Sequence, residues 1–208
     1  MAVIGLHYNA ADYWFCFTNV LPVDARGAPL VTDPTGERVA FDAERLIDRF
    51  GSVSAALLHR QIGSTTGNFV VTRKLFEEIG GFQDLKYCHD WMFALQAVLF
   101  CEPVFLRERL YNYRLHPKNS FRSLKDLAER ETSIVLTAFF LQIALRRPVN
   151  PVAPCPRRQP AAFWSLVQRT ETKNFADKVF FPYPRDSRLL DRGLGSDDRR
   201  ISSKRRKD

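Results

Sequence analysis

The pair His89-Asp90 is the best-placed chemistry in this sequence. It follows a loop that begins with Gly80-Gly81 and opens Trp91 to Cys101, a run without a single charged residue. A carboxylate where a loop meets a buried helix has its backbone held while its side chain can face a cleft. That arrangement suits a general base. It equally suits a helix cap, a common duty for Asp at a helix start. His89 reads either as a group that orients Asp90 or its ligand, or as a partly exposed loop histidine. Downstream, residues 103–116 (PVFLRERLYNYRLH) read as a strand. Side-chain alternation places Tyr111, Tyr113 and Leu115 on one face and Asn112, Arg114 and His116 on the other. The spacing predicts that Asp90, Arg114 and His116 face one cleft.

The elements that must position these groups can be read in turn. Asp12 to Val23 is aromatic and β-branched without strict alternation, as expected of a strand buried on both faces. A turn at Asp24–Gly27 follows, and Ala28 to Thr32 reads as a short returning strand. Asp42 is a suitable N-cap for a helix from Ala43 to Phe50, closed by Gly51. The apolar segment Val53 to Leu58 is ambiguous between helix and strand. Gly67 to Arg73 reads as a strand entering a helix over 73–79, which Gly80-Gly81 ends through a left-handed cap. Ser123 with Asp126 resembles a capping box for a long helix that ends near Leu145. Residues 146–159 are rich in Pro and Arg and read as a linker, with one more short helix at Ala161 to Gln168. The domain reading is a mixed α/β unit over 1–121, a long helix packing on it over 122–146, a linker and short helical extension over 147–184, and a disordered basic tail over 185–208.

Composition narrows the function classes. The formal charge is +8, but residues 157–208 hold 14 Lys/Arg against 7 Asp/Glu, so the folded part is nearly neutral. No nucleic-acid partner is therefore expected of the folded part. Cys16, Cys88, Cys101 and Cys155 are scattered, without the paired spacing of a zinc site, and read as reduced thiols. The first residues, MAVIGLHYNAADYW, lack the basic region and cleavage site of a signal peptide. Thr132 to Leu145 is uncharged over 14 residues, short of the roughly 20 that cross a bilayer.

Four pieces stand in order: GNFVVTRKLFEEIGGF (67–82), YCHDWMFAL (87–95), EPVFLRERLYNYRLH (102–116) and the PKNS that follows. Together they resemble the carboxyl half of family 2 glycosyltransferases, which have the GT-A fold. The resemblance spans about residues 12 to 121. It implies an inverting transfer of a sugar from a nucleotide-sugar donor to an acceptor hydroxyl, with Asp90 as the base. It implies that Gly67, Asn68 and His89 line the acceptor or sugar pocket, that Trp91 is core or stacks on a sugar, and that Arg114 approaches the donor diphosphate. His116 would be a ligand of a divalent metal, Mg or Mn. The acceptor would be a glycan or a lipid-linked glycan in surface-polysaccharide synthesis. The resemblance also implies a cytoplasmic place at the inner face of a bacterial membrane, with possible peripheral contact.

The nucleotide-binding half of that family, with its DDxS-type and DxD segments, has no counterpart among these residues. The expectation is a fragment whose donor and metal sites lie mainly in a missing amino-terminal half. Two other classes fit some of the residues. His59, His89-Asp90 and Asp126 trace an HD-type metal-dependent phosphohydrolase, which requires an all-helical domain. The closing SSKRRKD would suit a non-catalytic binding module that docks through a basic tail.

Overall fold

The computed structural model describes residues 13–31, 43–116 and 125–182. The tail over 185–208, the caps expected at Asp42 and Ser123, and the side chain of Asp126 lie outside them. The chain is α/β, with a three-stranded mixed sheet and helices packed around it. The central strand β1 (Phe15–Val23) pairs antiparallel with β2 (Phe69–Val71) and parallel with β3 (Val104–Arg114). Phe15, Cys16 and Phe17 are completely buried. Their unbroken apolar run is what a strand covered on both faces requires.

Seven helices are present among the described residues: α1 (Ala43–Phe50), α2 (Val53–His59), α3 (Arg73–Ile79), α4 (His89–Val98), α5 (Lys125–Leu145), α6 (Pro160–Arg169) and α7 (Lys173–Phe180). Helix α3 begins on Thr72, whose side chain accepts from Leu75 N. It ends at Gly80 with φ +84°, the left-handed cap expected of the glycine pair. The ambiguous Val53–Leu58 segment is helical: Ser52 Oγ accepts from Ala55 N, and Glu102 accepts from Ser54 N (3.0 Å) and the Ser54 hydroxyl. A carboxylate 48 residues away thus completes the start of α2, which no local pattern announces. Pro29 makes only an isolated bridge to Val23, so the returning strand expected there is not a strand of the sheet.

Helix α4 is the hub. Trp91 to Leu95, Ala97 and Val98 are all buried, as an uncharged helix must be. One apolar cluster joins β1, α2, α4, α5 and the carboxyl-terminal helices, through Phe163, Val167 and Ala176. The carboxyl extension therefore shares the main core, and it holds a second helix, α7, beyond the single one expected. Residues 146–159 are not an open linker: Asn150, Ala153 and Cys155 are buried.

The register of β3 against β1 slips between Thr18 and Asn19 and again between Asn19 and Val20. Extra residues in β3 at such bulges redirect side chains. Arg107, within the first slip, pairs with Glu44 and with Asp48 on α1. All three side chains are well exposed, so the network contributes little to stability. Beyond the slips, Tyr111 lies beside Val20 and Tyr113 beside Pro22, while Arg114 lies beside Val23.

Candidate functional site

The start of α4 is held by a residue far along the chain. Its N-cap, Cys88, makes no side-chain capping bond. Instead Glu131 of α5, only 4% exposed, accepts from Lys86 N (2.9 Å), Tyr87 N (2.8 Å) and Cys88 N (2.7 Å). Cys88 N is a donor that the helix start leaves unmatched, Lys86 N and Tyr87 N belong to the loop before it, and a carboxylate is the acceptor the helix dipole favours there. Burial alone would raise the Glu131 pKa. The three N–H groups and neighbouring His89 outweigh it and hold the carboxyl below its ordinary value.

Asp90 is not the N-cap residue, but its carboxylate meets donors of the same helix start. It stands in the first turn of α4 with Oδ1 accepting from Trp91 N at 2.7 Å. Burial pushes its carboxyl above the usual range, against the opposing pull of the Gln61 side chain, His89 and the N–H groups of Trp91 and Asp90 itself. Gln61 Oε1 accepts from Gly63 N (2.9 Å), and its amide nitrogen is buried without a closed hydrogen bond of its own. That amide lies against the Asp90 carboxylate and opposes the rise in its pKa, so the buried donor and the buried carboxylate face each other. Perturbed carboxylates of this kind gather at functional sites.

The wall opposite is aromatic. The Tyr87 hydroxyl is pushed up by burial and then by Cys88, Asp90 and Tyr113, with Arg60 opposing. Tyr113 thus shares the surroundings of Tyr87 and Asp90. Gly67 abuts Tyr111: a Cβ there would lie 2.4 Å from the Tyr111 hydroxyl oxygen. The tyrosine face of β3 is its half-buried face, with Tyr111 against Gly67 and Tyr113 near Tyr87. Arg114 has the opposite parity in the strand, and its guanidinium donates to Ala25 O (3.1 Å) in the turn after β1. Alternation along the strand holds, with half-buried Tyr111 and Tyr113 on one face and exposed Asn112 and Arg114 on the other. His116 is exposed just past the end of β3.

Two other expected ligand contacts are taken by the fold. Asn68 Oδ1 accepts from Thr18 N (3.2 Å) and Thr18 Oγ1 (2.8 Å), and Nδ2 donates to Thr18 O (2.7 Å) and Gly63 O (3.3 Å). Both acceptor positions and both donors of the amide are spent, so Asn68 ties β1 to the 63–68 loop and leaves nothing for a sugar hydroxyl. With Gly67 it sits in a single 3-10 turn, Thr66–Asn68, ahead of β2 and not within it. Trp91 is 6% exposed, and its indole N–H donates to Leu57 O at 2.7 Å. It is a core residue, not a stacking platform. His89 is half-buried, with its ring edge-on to Phe82, between Asp90 and Glu131.

Other chemistries are answered by the same geometry. His59 does not join His89-Asp90: its ring lies on Phe50 and its Nδ1 meets Thr170 O at 3.2 Å. With a β-sheet at the centre, the all-helical HD arrangement does not hold. Burial pushes the Cys16 and Cys88 thiols up to about 11 and Cys101 up to about 12. None is a ready thiolate nucleophile. Among the described residues no three His, Cys, Asp or Glu side chains gather as metal ligands.

The residues that sequence reasoning missed are Glu131, Gln61 and Tyr87. Glu131 did leave a signal. It sits four and eight residues before buried Val135 and Phe139, a carboxylate on the apolar stripe of its helix. That pattern demands a buried partner without saying which. No protein-family model, curated protein or solved structure matches the chain.

Proposed function

We propose that this chain supplies the acceptor side of an inverting, family 2-like glycosyltransferase of the GT-A fold, with Asp90 as its base. One observation carries the reading: the Asp90 carboxylate, raised in pKa by burial, is fixed in the first turn of α4 with the Gln61 side chain beside it. A base works best when its pKa approaches the working pH, and burial moves Asp90 that way. In the reaction, the acceptor O–H gives its proton to Asp90 as its oxygen bonds to the anomeric carbon of the donor sugar. The bond from that carbon to the diphosphate breaks on the opposite face, which inverts the centre.

In this reading Gln61 steadies the Asp90 carboxylate toward the acceptor, and His89 favours its ionised form. Tyr87 and Tyr113 form the wall against which the acceptor lies. The order of the 67–82, 87–95 and 102–116 segments supports the same reading, as does a mixed sheet flanked by helices. Donor and divalent metal are assigned to segments outside these residues. The test uses protein expressed from the complete reading frame, with nucleotide-sugar donors and glycan acceptors. Asp90→Asn lowers the transfer rate by about 10²–10⁴-fold and leaves the donor KM nearly unchanged. Undiminished transfer by Asp90→Asn returns the residue to a structural role.

A further inference from the structure

We propose that the end of α5 and the 146–152 loop form a surface that docks on an anionic phospholipid bilayer. The inference rests on this surface alone and not on the role of Asp90. Leu145, Val149 and Val152 are 78%, 62% and 65% exposed, and Ile134 and Leu141 extend the apolar stripe back along α5. The exposure is not the looseness of a tail. Asn150, 2% exposed, donates from its backbone N to Leu99 O (3.0 Å) and from Nδ2 to Val98 O (2.8 Å), and its Oδ1 accepts from Val152 N (3.0 Å). Anchoring Asn150 inward leaves its neighbours Val149 and Val152 outward.

The carbonyls of this loop are supplied from within. Arg158 donates to Asn150 O (3.1 Å), Pro148 O (3.3 Å) and Pro151 O, and Arg157 donates to Ala144 O (2.8 Å) at the open end of α5. In water these groups need no such provision. At the headgroup–acyl boundary, where water is scarcer, such internal pairing lowers the cost of inserting the loop. A prefolded loop with satisfied carbonyls and outward apolar side chains can enter the headgroup region by about 5–10 Å.

Charge selects the partner. Residues 132–170 contain no Asp or Glu, but include Arg146, Arg147, Arg157, Arg158 and Arg169. Arg146 and Arg147 also rim a cleft of about 250 Å³ floored by Ile79, Leu99 and Phe100. That is a shape for an anionic headgroup above apolar chain. The carboxylate on this cleft is Glu78, which lies against the Tyr13 hydroxyl at 3.4 Å. A second copy would set arginines against arginines, an arrangement that like-charge repulsion opposes.

The test is made on the full chain with phosphatidylcholine vesicles with and without phosphatidylglycerol. An environment-sensitive fluorophore is attached at Val152→Cys, or at Leu110→Cys as a control, with Cys101→Ser in both. Expected is a blue shift at position 152, not at 110, on anionic vesicles only, weakening as salt rises. Arg146→Gln and Arg147→Gln should each weaken binding by about fivefold, and Val149→Asp should abolish the shift at 152. Three outcomes overturn the proposal. One is no association with anionic vesicles. Another is association with a silent label at 152, which assigns binding to the basic tail. The third is lipid-free self-association relieved by Val149→Asp, which assigns the surface to a second copy. Circular dichroism of each variant checks that these surface changes leave the fold intact.

Discussion

Replacing Glu131 by glutamine keeps the shape of the side chain and removes what it does. The carboxylate accepts three backbone N–H groups on two oxygens, whereas glutamine offers one oxygen and turns an NH2 group toward the remaining donors. Hydrogen bonds to a charged, buried acceptor contribute about 1.5–3 kcal/mol each. Relief from burying the charge offsets part of that sum, because a buried carboxylate is itself costly. The expected net loss is about 3 kcal/mol, which for a chain of this size lowers Tm by roughly 6–12 °C. The pH dependence fixes the cause. The Glu131 pKa is lowered in the fold, so its contribution is complete above the ordinary value of 4.5 and is lost as pH falls through the depressed one. The gap between wild type and Glu131→Gln should therefore be full at neutral pH and close in acid. Urea unfolding followed by circular dichroism across that range measures it. Amide exchange at Lys86, Tyr87 and Cys88 should quicken selectively. A loss under about 1 kcal/mol, or a gap that ignores pH, would refute the assignment of Glu131 as the clamp on α4.

Asp90 should behave with the opposite sign. Its raised pKa means that ionisation is resisted by the fold, so Asp90→Asn should raise stability at neutral pH. The gain should appear as pH rises from the ordinary Asp value through the raised one and vanish below both; unfolding midpoints that show no gain at neutral pH contradict the burial argument. Gly67→Ala should cost about 1 kcal/mol by overpacking against the Tyr111 hydroxyl. Tyr111→Phe should recover most of that in a double-mutant cycle, and strictly additive losses would show that the contact is not the cause.

Much of this architecture is legible in the amino-acid sequence, and for a common reason. The start of α3 at Thr72, its stop at Gly80-Gly81 and the all-round burial of α4 depend on groups within a few residues of one another. So do the alternation of 111–114 and the double-sided burial of β1. Local hydrogen bonds and side-chain periodicity write themselves into adjacent letters. The position of Asp90 at a loop-to-helix boundary is legible on the same terms, but the division of the donors there is not. Glu131, 41 residues further on, takes the N–H groups of 86–88, while Asp90 takes that of Trp91. The helical state of 53–58 depends on Glu102, and the occupation of Asn68 on Thr18, 50 residues before it. The packing of 146–152 depends on Asn150 reaching the end of α4. The guanidinium of Arg114 is engaged by Ala25 O, 89 residues before it. Such contacts are set by which buried polar groups meet once the chain has collapsed, and a buried donor or acceptor accepts any partner of correct geometry at any sequence distance. The letters determined the elements and the presence of groups that needed partners; the tertiary structure decided which partner each one found.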